Sequence, residues 1–289
     1  MKVDPQIHKS ADELIGQRFN MLEDIAQELA GNISFPVCFD LAIRLRAALR
    51  KDSVSFGELT RMIRLEPLLS ARLLGLANAA IGGDGKPVVG VETAIVRLGS
   101  DVARDTAVSV SHAQLLRSRN LVVFSDLSES LWAHSLRTAA GARVIARRMT
   151  TFDPDEAMTA GLMCDLGAFY MLYRASQYEE LRIRPDSARH LIARWQGAIG
   201  ESLMVALGLP EQIIAAVRDD GVPRTLVSSP RSLNELVFVS RLLAGDPFLP
   251  FDTDGEVTTV RLEMTYGPYL ALIDEIEHEY QDLRRVLET

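Results

Sequence analysis

The residues best suited to reactive chemistry are few and scattered. Cys164 precedes Asp165, and a thiol beside an acid invites comparison with a nucleophile. A neighbouring carboxylate raises a thiol pKa, however, and so suppresses the thiolate that would react. The small residues Ala157, Ala160, Gly161 and Ala168 predict tight packing around it and a structural cysteine. Cys38, the other of the two cysteines, lies far away without a C-x-x-C partner, so neither a disulfide framework nor a structural zinc site is expected. Two arginine groups also stand out. Arg143, Arg147 and Arg148 lie about one helical turn apart, and Arg182, Arg184, Arg189 and Arg194 form a second set. Either could hold a phosphate-bearing ligand or an acidic partner; solvated helix faces are the plainer expectation.

Two loops look like ion-binding segments but lack the required order. Gly82-Gly83-Asp84-Gly85-Lys86 is glycine-rich, yet Pro87 follows Lys86 where a phosphate loop needs Ser or Thr and a helix start. Asp252-Thr253-Asp254-Gly255-Glu256 is rich in oxygens without the ligand order of an EF-hand, and reads as a solvated loop. Acidic residues outnumber basic ones by 39 to 31, giving a net charge of −8 and a pI near 5.3. That balance argues against general nucleic-acid binding. No apolar run approaches the roughly 20 residues of a membrane span, and the N-terminus has no signal-peptide core. A cytoplasmic protein without membrane contact is expected.

Apolar residues at helical spacing recur throughout the sequence. With 47% apolar residues in 289, the chain can bury a sizeable core. Leu14, Ile15, Phe19, Leu22, Ile25, Ala26 and Leu29 predict a helix over 10–30. Phe35-Pro36 opens a second, which ends at Lys51-Asp52. Ser55 to Glu58 reads as a capping box, Glu66-Pro67 places proline in a first turn, and Gly99-Ser100 breaks two further helices. Residues 32 to about 117 thus form a five-helix unit.

The joint falls at Arg117 to Ser125. Asp126-Leu127-Ser128-Glu129 supplies a new capping box before a helix running to Met149. Asp153-Pro154-Asp155-Glu156 combines a cap, a first-turn proline and acids suited to a helix dipole, and predicts a helix from 154 to about 173. Further helices are expected near 187–207, 210–219, 231–244 and 262–287, with Val257 to Val260 as a short strand. The fold class is all-α in two parts: an N-terminal helix over 1–31, a helical subdomain over 32–125, and a second helical subdomain with a C-terminal helix over 126–289.

The run Arg72-Leu73-Leu74-Gly75-Leu76-Ala77-Asn78-Ala79-Ala80, then Pro87-Val88, then Glu92 through Leu98-Gly99, resembles the signature of the HDOD family. Leu131-Trp132-Ala133-His134-Ser135, Glu156-Ala157 with Gly161 to Gly167, and Gly208-Leu209-Pro210-Glu211 extend the likeness over roughly residues 32–245. In its second half that family resembles metal-dependent HD phosphohydrolases, while its members are regarded as non-catalytic regulators. The resemblance therefore implies a bacterial signalling module, tied to motility, stress or cyclic-dinucleotide circuits, with other signalling proteins as partners.

An HD hydrolase needs imidazoles and carboxylates that converge on divalent metal and lower the pKa of a bound water. By resemblance, His134 and Asp165 keep two ligand positions, but Cys164 replaces the paired histidine and Gln196 stands at another histidine position. Asp219 and Asp220 stand where adjacent histidines are common, and Arg241 where the last acid would be. A guanidinium has five donors and no acceptor and cannot ligate a cation. The expectation is a degenerate site with no catalytic residue, no metal and no cofactor, in which Arg241 pairs with Asp165 or Asp219 in the metal's stead. His134 is expected as a hydrogen-bonded core histidine, and Trp132 and Trp195, beside the degenerate positions, as core fillers rather than an aromatic wall. The alternatives are an HD-type phosphohydrolase rebuilt from His134, Asp165, Asp219 and Asp220, and a receptor binding a nucleotide in the degenerate pocket. The final helix, with Leu270, Leu272, Ile273, Ile276, Tyr280, Leu283 and Val286, is open to packing within the fold or against another chain, so the oligomeric state stays undetermined.

Overall fold

The structure, a computed structural model, describes residues 11–29, 55–80, 85–115, 122–218, 227–248 and 267–288. All regular elements among them are helices. The predicted helix opening at Phe35, Cys38, the Asp252–Glu256 loop and the short strand at Val257 to Val260 lie outside the described residues.

In the first half, α1 spans Ala11–Leu29, α2 Phe56–Ile63, α3 Pro67–Ala79, α4 Val91–Leu98 and α5 Ser100–Leu115. The capping chemistry read from the sequence is present. The Ser55 hydroxyl accepts the Glu58 N–H at 3.2 Å, and Pro67 occupies the first turn of α3 behind the Glu66 carboxyl, which accepts the Leu69 N–H. Gly99, at φ 86°, ends α4 in a backbone region that favours glycine, so that α5 begins at once. Asn78 explains its place in the quoted run: its amide nitrogen donates to the Leu74 and Val88 carbonyls, and its oxygen accepts the Val88 N–H at 2.8 Å. One side chain thereby ties the end of α3 to the segment leading into α4.

The second half is built on α6, Ser125–Met149. Its start departs from the predicted capping box. The helix begins at Ser125, so Asp126 lies inside the first turn, where its charge complements the helix dipole instead of capping. Asp153 does cap α7, Pro154–Leu162, accepting the Asp155 and Glu156 N–H groups at 2.9 Å each. The helix predicted to continue to residue 173 is interrupted by a 3-10 turn, Met163–Asp165, before α8, Leu166–Ser176. That turn coincides with Asp165, whose buried carboxylate is tied to α6. Satisfying that group outweighs three residues of regular helical bonding.

A short helix absent from the sequence reading, α9 at Glu179–Ile183, leads into α10, Pro185–Ala206, and α11, Glu211–Val217. Asn234 on α12, Leu233–Ala244, donates to the Ala215, Ala216 and Arg218 carbonyls at the end of α11. The single C-terminal helix predicted over 262–287 is divided into α13, Gly267–Leu270, and α14, Ile273–Glu288. Tyr269 anchors the break: it is fully buried and its hydroxyl donates to the Val227 carbonyl at 2.6 Å.

Helix α6 packs against α7, α12 and α14, and α8 packs against α10. The second contact requires Gly167, where a Cβ would stand 2.1 Å from the Gln196 carbonyl oxygen and 2.6 Å from the Gly200 nitrogen. Between the halves, a Cβ on Gly75 of α3 would meet the Leu207 carbonyl oxygen at 1.9 Å. One buried apolar cluster runs from Met21 and Ile25 through Leu69 and Leu73 to Leu131, Tyr170, Ile192 and Leu283. The core is therefore continuous across both halves.

Candidate functional site

The site lies where α6, the 3-10 turn and α12 meet. His134 and Ser135 come from α6, Cys164 and Asp165 from the turn, and Arg241 from the last turn of α12. Asp165 is completely buried. Its Oδ2 stands 2.5 Å from His134 Nδ1 and accepts the Ser135 hydroxyl at 2.8 Å. Its Oδ1 faces Arg241 Nη2 at 3.8 Å. Arg241 thus stands against Asp165, one of the two partners anticipated for it; the other, Asp219, and Asp220 lie outside the described residues.

Burial alone would raise the Asp165 pKa, but the His134 and Arg241 charges, with the His134 and Ser135 hydrogen bonds, outweigh it and hold the carboxyl down at about 2. Cys164 goes the other way. Burial and the adjacent Asp165 push its thiol well above the usual value, and Arg241 and the Thr138 hydroxyl offset this only in part. The thiol therefore stays protonated and poorly nucleophilic at neutral pH. His134, buried at 4% exposure, is held within the core by Asp165.

The remaining positions do not all converge. Gln196 is half-buried on α10 and meets Gly167 through its backbone, while its side-chain Oε1 is buried without a hydrogen-bond partner. Trp132 packs partly buried against the core, whereas Trp195 is 39% exposed, so the expectation that both tryptophans fill the core holds for Trp132 alone. The reason is local: α10 from Ala193 to Ala198 faces largely outward.

The arginine sets are resolved by contacts that sequence reasoning could not assign. Arg143, Arg147 and Arg148 do meet an acidic partner, but it is the chain's own α14: Arg143 to Glu279 at 2.8 Å, Arg147 to Glu279 at 3.5 Å and Arg148 to Glu275 at 3.0 Å. The missed signal was the acidic face of α14 itself. In the second set, Arg182 donates to the Ser176 carbonyl, Arg184 pairs with Glu180, and Arg189 donates to the Phe248 carbonyl; Arg194 is exposed. These are the contacts of helix ends and loops.

Residues 35–221 match the family profile of the HDOD domain, more than half of the chain. The chain belongs to the HDOD family. The match covers the Asn78 run, His134 and the Cys164-Asp165 turn, while Arg241 and α14 lie beyond its C-terminal limit. Among solved structures, the HDOD chain is similar to the MmoQ response regulator of Methylococcus capsulatus str. Bath, at 24% identity and a TM-score of 0.59, over 89% of this chain and 98% of that one. It is also similar to a protein of Shewanella amazonensis SB2B described as a candidate metal-dependent phosphohydrolase, at 19% identity and a TM-score of 0.51, over 96% and 99% of the respective chains. No curated protein matches it. No described helix of the HDOD chain is long and apolar enough to cross a membrane.

Proposed function

We propose that this HDOD chain is a non-catalytic regulator that relays signals through contacts with other proteins. The observation that carries the reading is the Arg241–Asp165 pair: a guanidinium, which donates and never accepts, faces the buried carboxylate at 3.8 Å. A metal-dependent phosphohydrolase needs open ligands there to polarise phosphate and acidify water. The residues present do not fit that requirement. His134 is engaged by Asp165, Cys164 is held as a thiol, and the Gln196 amide is a weak substitute for imidazole. Architecture does not decide the matter, because the same fold is shared by a response regulator and a candidate phosphohydrolase. The site's chemistry favours the non-catalytic reading. Circuits of motility, stress or cyclic dinucleotides, which the family resemblance implies, are where such a relay would serve in the cytoplasm.

The test is direct. Purified protein incubated with manganese or magnesium and a panel of cyclic dinucleotides and nucleotides is expected to release no phosphoester product and to give no binding heat. Metal-dependent turnover that disappears in Asp165→Asn would overturn the reading.

A further inference from the structure

Helix α1 lies before the residues that match the HDOD profile, yet it docks on the far half of that domain, against α8 and α10. Met21, Asp24, Ile25 and Glu28 share one stripe of the helix, three or four residues apart. Met21 and Ile25 are fully buried, and the two acids meet a polar patch of the domain. Glu28 Oε2 accepts the Tyr170 hydroxyl at 3.0 Å and Arg174 Nη1 at 2.9 Å. Asp24 Oδ2 accepts the Tyr178 hydroxyl and faces Arg174 Nη2 at 3.4 Å. Burial and the adjoining acids push both tyrosines up, so each hydroxyl keeps its proton near neutral pH. The patch thus offers donors alone, and it selects carboxylates.

One of those donors is left over. Arg174 is 13% exposed, and its Nε is buried without a hydrogen-bond partner. A carboxylate set side-on would take Nε and a terminal nitrogen together, whereas the acids of α1 meet the two Nη atoms. The patch cannot stand empty at little cost, because a guanidinium largely out of water needs a counter-charge.

We propose that the Tyr170–Arg174–Tyr178 patch, with the apolar seats of Met21 and Ile25, is a docking groove for an acidic amphipathic helix of a partner protein, and that α1 fills it in cis as the competitor which that helix displaces. The inference rests on the contact-based role proposed above and names its surface and partner class. Recognition needs apolar residues at the Met21 and Ile25 positions and carboxylates spaced as Asp24 and Glu28 are. A basic helix would set a cation against Arg174 and is rejected. Displacement exchanges like for like, and Nε gains the acceptor it lacks. Against a free competitor, α1 holds its place through its covalent tether, which acts as a high effective concentration.

The probe is a labelled peptide of residues 11–29, titrated into the full chain and followed by fluorescence anisotropy. The parent is expected to bind it weakly, because its own α1 fills the groove. The full-chain double variant Asp24→Lys, Glu28→Lys, whose cis helix Arg174 repels, is expected to bind the probe roughly tenfold tighter or more. Adding Arg174→Gln should abolish the gain, and so should a probe carrying Asp24→Asn and Glu28→Gln. Equal binding by the parent and the double variant, or binding that survives Arg174→Gln, overturns the proposal. Should the lysine variant fail to fold, the milder Asp24→Asn, Glu28→Gln chain decides by the same outcomes; if neither folds, α1 is a fixed part of the core and the proposal falls. A concentration-dependent dimer of the parent that Arg174→Gln dissolves would make a second copy's α1 the occupant, which also overturns it. Neither metal nor nucleotide enters these titrations, so failure here leaves the non-catalytic role standing on its own test.

Discussion

Burial makes Glu66 and Asp165 behave as opposites. Glu66 is 2% exposed, and burial pushes its carboxyl up to about 8, with the Leu69 and Leu68 N–H groups pulling the other way. The folded state therefore prefers the neutral acid, while the unfolded chain ionises near 4.5. Stability from this group is complete below the unfolded value and is lost as pH rises through about 8. Glu66→Gln keeps an oxygen for the Leu69 N–H, so the variant is expected to melt higher than the parent at about pH 9 and alike near pH 4. Thermal melts across that range check it, and an unchanged pH profile refutes it. Asp165 has the reverse sign: its contribution is present above 3.8 and is lost as pH falls through about 2. Asp165→Asn should therefore cost stability at neutral pH, roughly 3–5 kcal/mol, because it removes the fully buried charge on which His134, Ser135 and Arg241 converge. A melting temperature equal to the parent's would contradict this. The Asp165 environment was legible in part from motif positions, which grouped it with His134 and offered it as one of two partners for Arg241. The Glu66 environment was not, since capping chemistry can be read from Glu66-Pro67 but what covers the carboxyl cannot.

Among the elements, helix existence was far more legible than helix boundaries. Ser55, Pro67, Gly99, Asp153 and Gly208 punctuate the chain through local chemistry that a sequence displays directly. The 3-10 turn at Met163–Asp165 was invisible because its cause is a partner on another helix, not a breaker in its own segment. The α8–α10 crossing was hidden for the same reason: nothing near Gly167 announces that the Gln196 carbonyl passes alongside. Backbone cannot retreat as a flexible side chain can, so Gly167→Ala must separate the two helices. The variant is expected to lose roughly 2–4 kcal/mol, the range of overpacked or strained core sites. Chemical denaturation measures this, and a loss within 0.5 kcal/mol would show that the crossing is looser than the structure has it.

At the scale of the whole molecule, Asp155 is a junction. Its Oδ1 accepts Arg64 Nη2 from the first half at 2.8 Å and faces Arg143 Nη2 at 3.2 Å, while Arg143 Nη1 reaches Glu279 of α14 at 2.8 Å. Arg137 adds a guanidinium 4.4 Å from the Tyr280 ring centre, and Tyr280 and Leu283 enter the common core beneath these charges. Composition could not foretell this, because the acidic excess of the chain says nothing about which acids meet which arginines. Arg143→Ala breaks two contacts of a partly buried network and is expected to cost about 1–2 kcal/mol, a fall of roughly 2–8 °C in Tm. Arg148→Ala, at a more exposed pair, is expected to change stability by less than about 0.5 kcal/mol. Equal effects from the two would show that the junction has no special role.

The unbroken core also bears on how such a chain can change over generations. Leu69 and Leu73 share their apolar surroundings with Leu131 and Tyr170, so a recombination event that exchanged one half for a homologue's would have to match a seam fitted as closely as Gly75 against Leu207. The two halves are thus bound to be inherited as a pair, and substitutions at their seam should co-vary wherever many such sequences are compared.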